Sequence, residues 1–271
     1  MNPLAYNWEK EDHAFLDSLP ELNLTTQSWK VFSRPAEIEV SWHKTENQGA
    51  IGSCQGHSLS SVLERLSHIR GDDLQLSEIF AYLATQKIDG LLGSDSGSTI
   101  AGGCKLALET GVCLLDRTGY PQRYPSRSDI NKILSRENYE AAAPYKAVSA
   151  WQVPKDHEQL LDFIGGGGGV NFGIRYYNSL IPSDRIVRSY RPGWTQAGHA
   201  MAVLGYDRNG NLRCVNSHAD GEYLITPSAW AEMLRDRFTA AIGLMGTKEA
   251  EPIDWYNNSP YNQKAKKEEN V

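Results

Sequence analysis

A cysteine stands where a helix is predicted to begin, and this cysteine is the best candidate for covalent chemistry. Mostly small residues run from Gly49 to Ser53 and lead into Cys54, after which apolar residues recur at helical spacing. A cysteine at a helix N-terminus lies at the positive end of the helix dipole, which favours the nucleophilic thiolate. The N–H groups of the first turn can also face a developing oxyanion. We predict that Cys54 is a nucleophile and that the side-chain amide of Gln48 completes an oxyanion hole.

A thiolate nucleophile needs a base, and the base needs a residue that orients it. His199 begins one strand candidate, and Asn216 lies at the end of the next. An amide or carboxylate oxygen beside an imidazole fixes its tautomer. A tight turn at residues 209–210 would place His199 opposite Asp220, whereas a wider loop would place it opposite Asn216. Asn216 and Asp220 therefore both remain candidates for the orienting residue.

The elements that must hold these residues fall into a helical first half and a strand-rich second half. Ser77 and Thr99 can cap two further helices after the one at Cys54, and Gly111 is typical of the position just after a helix. A short helix is expected over 154–163, and the glycine run 165–169 lets the backbone turn sharply into a strand. The strand candidates are 170–174, 199–206, 212–217, 223–225 and 238–245. This order predicts an α+β fold of two lobes.

Four segments resemble the motifs of the papain-like cysteine peptidases, and they occur in that family's order. They are QGAIGSCQGHS at 48–58, SDSGSTIAGGCKLALETGVC at 94–113, GHAMAVLGYD at 198–207 and VNSHADGEYLI at 215–225. The resemblance runs from about Pro35 to Met245, which is most of the chain. It implies a papain-like two-lobe fold, in which a cleft separates a helical lobe from an antiparallel, β-barrel-like lobe.

The resemblance also implies a mechanism for peptide hydrolysis. Cys54 attacks the peptide carbonyl as a thiolate paired with protonated His199, which then protonates the leaving amine. Asn216 holds the imidazole, while Gln48 and the backbone N–H of Cys54 bind the oxyanion. The expected substrate is a peptide or protein.

The family comparison further indicates where the substrate lies and how the chain divides. Gly97 and Ser98 match the strand edge that hydrogen-bonds the substrate backbone. The expected divisions are an N-terminal extension over 1–35, a peptidase domain over 36–247 and a polar C-terminal tail over 248–271. Within the domain, the helical lobe covers about 50–125 and the β-rich lobe about 145–247.

Several departures from the family pattern support other hypotheses. Gln55 and His218 replace two tryptophans, and Ile51 replaces a cysteine that commonly forms a disulfide. A second hypothesis is therefore a weakly active or inactive papain-like fold that serves as a binding or assembly module, for instance in a virion or phage particle. A third keeps the same nucleophile but transfers the acyl group to an amine instead of water.

Neither a cofactor nor a metal ion is expected. His57 follows Cys54 by three residues and lies on a similar helix face, but Zn²⁺ takes four converging ligands and no other clear pair is evident. We predict that His57 is a packed, hydrogen-bonded histidine. Cys104, Cys113 and Cys214 fall in helix or strand patterns and are predicted to be core residues.

Composition narrows the class of partner and the compartment. The chain has 271 residues and a net charge of −6, from 27 basic and 33 acidic residues, with no basic stripe that would favour nucleic acid. No apolar run is long enough to cross a membrane. The N-terminus lacks the basic start and apolar core of a secretory signal, which predicts a cytoplasmic, reducing environment without disulfides.

The two polar ends are predicted to make contacts outside the catalytic domain. In related peptidases, an N-terminal propeptide lies through the cleft and blocks it. Because the extension over 1–35 is short, we expect it to dock on a protein partner rather than inhibit. The tail over 248–271 is a second candidate for partner contact.

Overall fold

The computed structural model describes residues 6–22, 34–193 and 197–246. The predicted C-terminal tail lies outside these residues, as do residues 1–5 and 23–33 of the N-terminal extension. Helices dominate the first half, and several of them begin with a side-chain cap. The helices are α1 (His13–Ser18), α2 (Cys54–Ile69), α3 (Glu78–Asp89), α4 (Ile100–Glu109), α5 (Arg127–Ile133), α6 (Arg136–Ala142), α7 (His157–Gly165) and α8 (Pro227–Arg235).

The described strands form one open, seven-stranded sheet. They are β1 (Ser149–Gln152), β2 (Gly169–Tyr176), β3 (Ile186–Val187), β4 (Ala197–Tyr206), β5 (Leu212–Val215), β6 (Glu222–Ile225) and β7 (Ala240–Met245). The strand order is β1-β7-β2-β4-β5-β6-β3, and every pair is antiparallel except β3 with β6. The α+β fold is confirmed, but the barrel-like description was too strong because the sheet does not close.

The long helix α2 is the central element of the molecule. Nearly all of its residues are buried, and it packs against α3 on one side and against β4 and β2 on the other. Alternate residues of β4 face different cores: Ala202 joins the core that contains α2, whereas Met201 and Val203 join the core that contains Trp230 of α8. Helix α2 and strand β4 are thus fixed against each other by apolar packing.

The predicted helix starts agree with the structure. The side chain of Ser77 accepts a hydrogen bond from the N–H of Phe80, and Thr99 accepts one from the N–H of Gly102. Asp156 caps α7 in the same manner. Helices α1, α5, α6 and α8 and strands β1 and β3 were not predicted.

The glycine run between α7 and β2 is packed tightly against neighbouring groups. Gly167 has a φ of +100°, and a Cβ on Gly168 would lie 2.3 Å from the Phe163 ring. The buried guanidinium of Arg65, on α2, donates to the carbonyls of Ile164 (2.7 Å) and Gly168 (2.8 Å). The run does turn the chain into β2, and Arg65 ties that turn to the central helix.

Candidate active site

Cys54 is the first residue of α2 and is fully buried. The preceding residue, Ser53, makes no capping hydrogen bond with its side chain; its hydroxyl instead contacts the Tyr120 hydroxyl at 2.6 Å. The N–H of Gly52 donates to the carboxylate of Asp95 at 3.0 Å. The thiol therefore lies at a helix N-terminus that Ser53 leaves uncapped, as the sequence predicted.

His199 lies near the start of β4 and contacts Asn216 directly. The distance from His199 Nε2 to Asn216 Oδ1 is 2.7 Å. This oxygen also accepts the N–H of Ser217, so it is an acceptor and Nε2 carries the proton. Nδ1 of the neutral ring is then left with a lone pair, and it is buried without a hydrogen-bond partner. The imidazole thus presents a free basic nitrogen.

Asp220 lies behind Asn216 rather than beside the imidazole. Nδ2 of Asn216 donates to Asp220 Oδ2 at 3.1 Å, which orients the amide so that its oxygen faces His199. The turn between β4 and β5 spans residues 207–211, with a register shift between Val203 and Gly205. The tight turn that would pair His199 with Asp220 is absent from this described hairpin.

His218 stacks on His199 with the ring centroids 4.4 Å apart, and Tyr176 packs edge-on against both. Burial, and then the charge of His218, lower the pKa of His199 to about 3, and the hydrogen bond that His199 donates to Asn216 only partly opposes this. The buried site therefore favours the neutral imidazole rather than the thiolate–imidazolium pair that the family resemblance implies.

Gln48 is buried close to this hairpin and is held on several sides. Its Oε1 accepts the Ser217 hydroxyl at 2.7 Å, and its backbone N–H donates to the Ser217 carbonyl at 2.8 Å. Its Nε2 donates to the Ile51 carbonyl at 2.9 Å. The amide that was predicted to donate to an oxyanion is thus fixed in orientation just before the turn that leads to Cys54.

Backbone groups of Gly97 and Ser98, the predicted substrate-binding residues, already have hydrogen-bond partners within the chain. The N–H of Gly97 already donates to the Tyr82 hydroxyl at 3.1 Å, and its carbonyl accepts from Gln86 at 3.0 Å. Ser98 is fixed from within by a hydrogen bond from its hydroxyl to Gln55, the residue that replaces the family's tryptophan. Of these backbone groups, the Ser98 carbonyl accepts a hydrogen bond from an extended segment, and that segment belongs to this same chain.

Residues 6 and 7 occupy the edge that was predicted to bind substrate. Tyr6 forms a parallel bridge with Ser98, and its N–H donates to the Gly198 carbonyl at 3.1 Å. The N–H of Asn7 donates to the Ser98 carbonyl at 3.1 Å. Burial raises the pKa of the Tyr6 phenol, as do nearby Glu11 and, more weakly, Cys54. Tyr6 thus lies against the strand that carries His199.

The segment is anchored at further points beyond Tyr6. The Glu11 carboxylate accepts the N–H groups of Ile100 (2.9 Å) and Ala101 (2.8 Å) at the start of α4, and burial raises its pKa to about 7. Asp12 forms an ion pair with Lys105 at 3.0 Å. These contacts of residues 6–22 lie within the chain, and docking of the extension on a protein partner stays a prediction.

The same segment then reaches the edge of the sheet. The N–H of Gln152, in β1, donates to the Pro20 carbonyl at 3.0 Å, and Glu21 forms a parallel bridge with Gln152. The Gln152 amide also donates to the Leu19 carbonyl at 2.8 Å. Residues 19–21 therefore cover the outer edge of β1.

The remaining sequence predictions concern the other cysteines and His57. All four cysteines lie within the described residues, are buried and form no disulfide there, which agrees with the core positions predicted for Cys104, Cys113 and Cys214. His57 is buried and hydrogen-bonded on both ring nitrogens, to Glu46 and Tyr120, as predicted. Sequence reasoning missed Tyr120, whose position 63 residues from His57 carries no local signal.

Comparison with solved structures identifies the fold as that of the papain-like cysteine proteases and confirms the family resemblance. Xylellain, a cysteine protease from Xylella fastidiosa, matches with a TM-score of 0.69 and 22% identity, over 84% of this chain and 91% of xylellain. The Carica candamarcensis cysteine protease CMS1MS2 matches with a TM-score of 0.56 and 19% identity, over 78% of this chain and 98% of the protease. ProCathepsin B S9 from Trypanosoma congolense matches with a TM-score of 0.61 and 16% identity, over 92% of this chain and 87% of the proCathepsin.

No protein-family model and no curated protein matches the chain. At the identities of the structural matches, the likeness establishes the fold alone. None of the helices among the described residues has the length and hydropathy of a membrane span.

Proposed function

We propose that this chain is a cysteine peptidase with Cys54 as its nucleophile and His199 as its base. In this proposal Asn216 orients the imidazole, and Gln48 with the backbone N–H of Cys54 binds the oxyanion. The observation that carries the proposal is the bond from His199 Nε2 to Asn216 Oδ1, because it leaves Nδ1 as a buried, unpartnered base on the strand that packs against α2.

The proposed reaction proceeds by acyl transfer through the thiol. Nδ1 of His199 takes the proton of Cys54 as sulfur attacks the peptide carbonyl, and the charge on oxygen is stabilised by the Gln48 amide and the helix N-terminus. The protonated imidazole then gives its proton to the leaving amine. Water, deprotonated by the same nitrogen, hydrolyses the thioester and restores the thiol.

We further propose that residues 6–22 hold this site in a latent state. The N–H groups of Tyr6 and Asn7 use the carbonyls of Gly198 and Ser98, so a substrate strand cannot pair with the same carbonyls at the same time. Three structures that match the fold are named as proforms: a proCathepsin B, a procathepsin L 3 and the Amb a 11 cysteine protease. Burial by the segment also accounts for the neutral His199, because a covered site lacks the water that would stabilise a thiolate–imidazolium pair.

Covalent labelling of the full chain under reducing conditions tests the proposal. The epoxide E-64 is named in the structure of the Carica protease, and it reacts with an activated thiol. We expect slow modification of Cys54, located by mass spectrometry of peptides, and loss of this modification in His199→Ala. The rate of peptide cleavage should fall in proportion to the fraction of Cys54 that is labelled.

Two results would favour the other hypotheses. Labelling of Cys54 no faster than that of the buried Cys104, with or without His199, would indicate a binding or assembly module that has kept the fold. Formation of an amide product with an added amine, in excess of hydrolysis, would indicate acyl transfer.

A further inference from the structure

A second cluster of ionisable side chains lies behind the helix N-terminus, separate from Cys54 and His199. Five residues contribute to it: His43, Glu46, His57, Glu64 and Glu78. All are nearly buried; the relative exposure is 9% for Glu46, 3% for His57 and 5% for Glu78. The ion pairs of these carboxylates among the described residues involve histidines and no lysine or arginine. Three acidic groups are thus buried together without a permanently charged partner, which is costly.

The hydrogen bonds around His57 define which ring nitrogen is free. The Tyr120 hydroxyl donates its single proton to the Gln48 carbonyl at 3.0 Å, so it can only accept from Nε2 of His57 at 3.2 Å. Nε2 therefore carries a proton, and Nδ1 of the neutral ring has a lone pair. That lone pair faces Glu46 Oε2 at 2.8 Å. Two lone pairs at this distance repel each other unless a cation, either a proton or a metal ion, lies between them.

Glu78 supplies an independent observation that points to a bound cation at this cluster. Its Oε2 is buried and has no hydrogen-bond partner. One ligand atom each from Glu46, His57 and Glu78 lies within 4.8 Å of the other two. Tetrahedral zinc places N and O ligands roughly 3.3 Å apart, at metal–ligand distances of about 2.0–2.1 Å. The three side chains therefore lie near enough to one another to converge on a single ion.

We propose that Glu46, His57 and Glu78 bind a divalent transition-metal cation of the zinc type, with water completing the coordination. His57 ligates through Nδ1 while its Nε2 proton is held by Tyr120, an outer contact that fixes the tautomer of metal-bound histidines. His43 does not ligate the ion. The Ser61 hydroxyl donates its proton to the His57 carbonyl, so the same hydroxyl accepts from His43 Nε2. Nε2 of His43 therefore carries a proton and cannot be a ligand.

The surface offers a route into this cluster. A cavity beside α2 is lined by Trp42, His43, Glu64, His68, Asp73 and Leu74. His43 and Glu64 are also members of the cluster, so the cavity leads from solvent towards Glu46. Its acidic lining attracts cations.

The proposed ion would stabilise the segment that carries Gln48. Glu46 stands two residues before Gln48, and its carbonyl accepts the N–H of Ala219 at 2.9 Å, in the turn after Asn216. Because His57 and Glu78 belong to α2 and α3, the ion would join this segment to both helices. The role is structural and does not depend on the proposed peptidase activity.

Zinc binding to the full chain tests the proposal. We would use Cys54→Ala throughout, because a thiolate beside His199 can itself bind zinc. After dialysis against chelator, equilibrium titration should give one tight Zn²⁺ per chain and a higher melting temperature. Adding His57→Phe or Glu78→Gln should abolish tight binding. The matched control Glu109→Gln, an exposed residue at the end of α4, should leave it unchanged.

Diffraction at the zinc absorption edge gives a readout that needs no variant in the cluster. Crystals of the Cys54→Ala chain soaked in Zn²⁺ should show an anomalous peak between His57 Nδ1 and the carboxylates of Glu46 and Glu78. Peaks only at surface positions, such as the His68–Asp73 pair, would overturn the proposal, and so would equal affinity in Glu78→Gln and Glu109→Gln. In that case a shared proton satisfies the contact between His57 and Glu46.

Discussion

At the level of single residues, His218 distinguishes this site from the family pattern. It stacks on the proposed base where a tryptophan is usual, and unlike tryptophan it can carry a charge. Burial lowers the pKa of His218 below its ordinary value, so at neutral pH both rings are uncharged. As the pH falls through the pKa of His218, its charge opposes the imidazolium that His199 must form during catalysis.

We therefore predict that His218→Phe extends activity to lower pH. Phenylalanine keeps a stacked ring but cannot be protonated, so the acid limb of kcat/KM should move to lower pH while the rate near pH 8 changes little. The check is a pH–rate profile of the two proteins with one peptide substrate. An unchanged acid limb would mean that His218 does not influence the charge of His199.

Asn216 and Asp220 should differ in their effect on the rate. Asn216→Ala removes the buried acceptor of His199 Nε2, which costs about 1–3 kcal/mol and lowers kcat roughly 5- to 150-fold. Asp220→Ala removes only a half-exposed contact to Asn216 and should lower kcat by less than about fivefold. Steady-state kinetics with KM and kcat separated will compare them; an equal loss in both would return Asp220 to the role of direct partner.

At the level of elements, the fit of the N-terminal segment depends on a glycine in β2. A Cβ on Gly173 would lie 2.6 Å from the Tyr6 ring, so only glycine accommodates the ring in its present position. The contact involves the same segment whose backbone pairs with Ser98 and Gly198. Removing this fit should release the segment without altering any proposed reacting group.

Gly173→Ala should therefore speed the labelling of Cys54 by E-64. Overpacking costs about 1–3 kcal/mol, which shifts the docking equilibrium roughly 5- to 150-fold. Tyr6→Ala should have a similar effect, and the double variant should gain little more. Gly246→Ala is a matched control because its nearest neighbour lies 3.9 Å from the added Cβ. If all four proteins react at one rate, the segment does not restrict access to the thiol.

The elements that the sequence predicted are those with local chemical signals. Ser77 and Thr99 cap helices through their own side chains, and the run of small residues before Cys54 marks a helix start. Helix α8 had a comparable signal that was not used: Thr226 caps it, and Pro227 occupies its first turn. Docking of residues 6 and 7 had no such signal, since backbone groups of any residue could make the same hydrogen bonds.

In the candidate site, too, the residues that could be predicted are those with a local signal in the sequence. Cys54, His199, Asn216 and Gln48 could be selected because their types and order are unusual together. The convergence of Glu78 with His57 could not, because it depends on how α3 packs on α2, and the open edge of the sheet depends on tertiary arrangement as well. Sequence therefore identified the candidate reacting groups but not what covers or supports them.

At the level of the whole molecule, Arg65 connects the central helix to the turn that enters the sheet. Its guanidinium satisfies two carbonyls, of Ile164 and Gly168, and no part of the side chain is exposed. A buried cation in this position stabilises the contact between helices and sheet because the carbonyls would otherwise lack donors.

Arg65→Met should lower the free energy of unfolding by about 2–5 kcal/mol, because two buried carbonyls lose charged donors. Urea titration with a constant m-value is the measurement. Arg136→Met serves as the control, since Arg136 is exposed and pairs only with Glu140 on its own helix. A change in Arg65→Met as small as in this control would show that water or other groups replace the guanidinium.

The coverage of β1 by residues 19–21 has a consequence for any form of the protein that loses this segment. The outer backbone of β1 would then present unpaired N–H and C=O groups along an open sheet edge, which is a template for pairing with a second molecule. In the proposed latent state, residues 6–22 would therefore both cover the site and pair with this edge of the sheet. Uncovering the cleft in this way would also make the molecule prone to aggregate, so the working form would have a limited lifetime in concentrated solution.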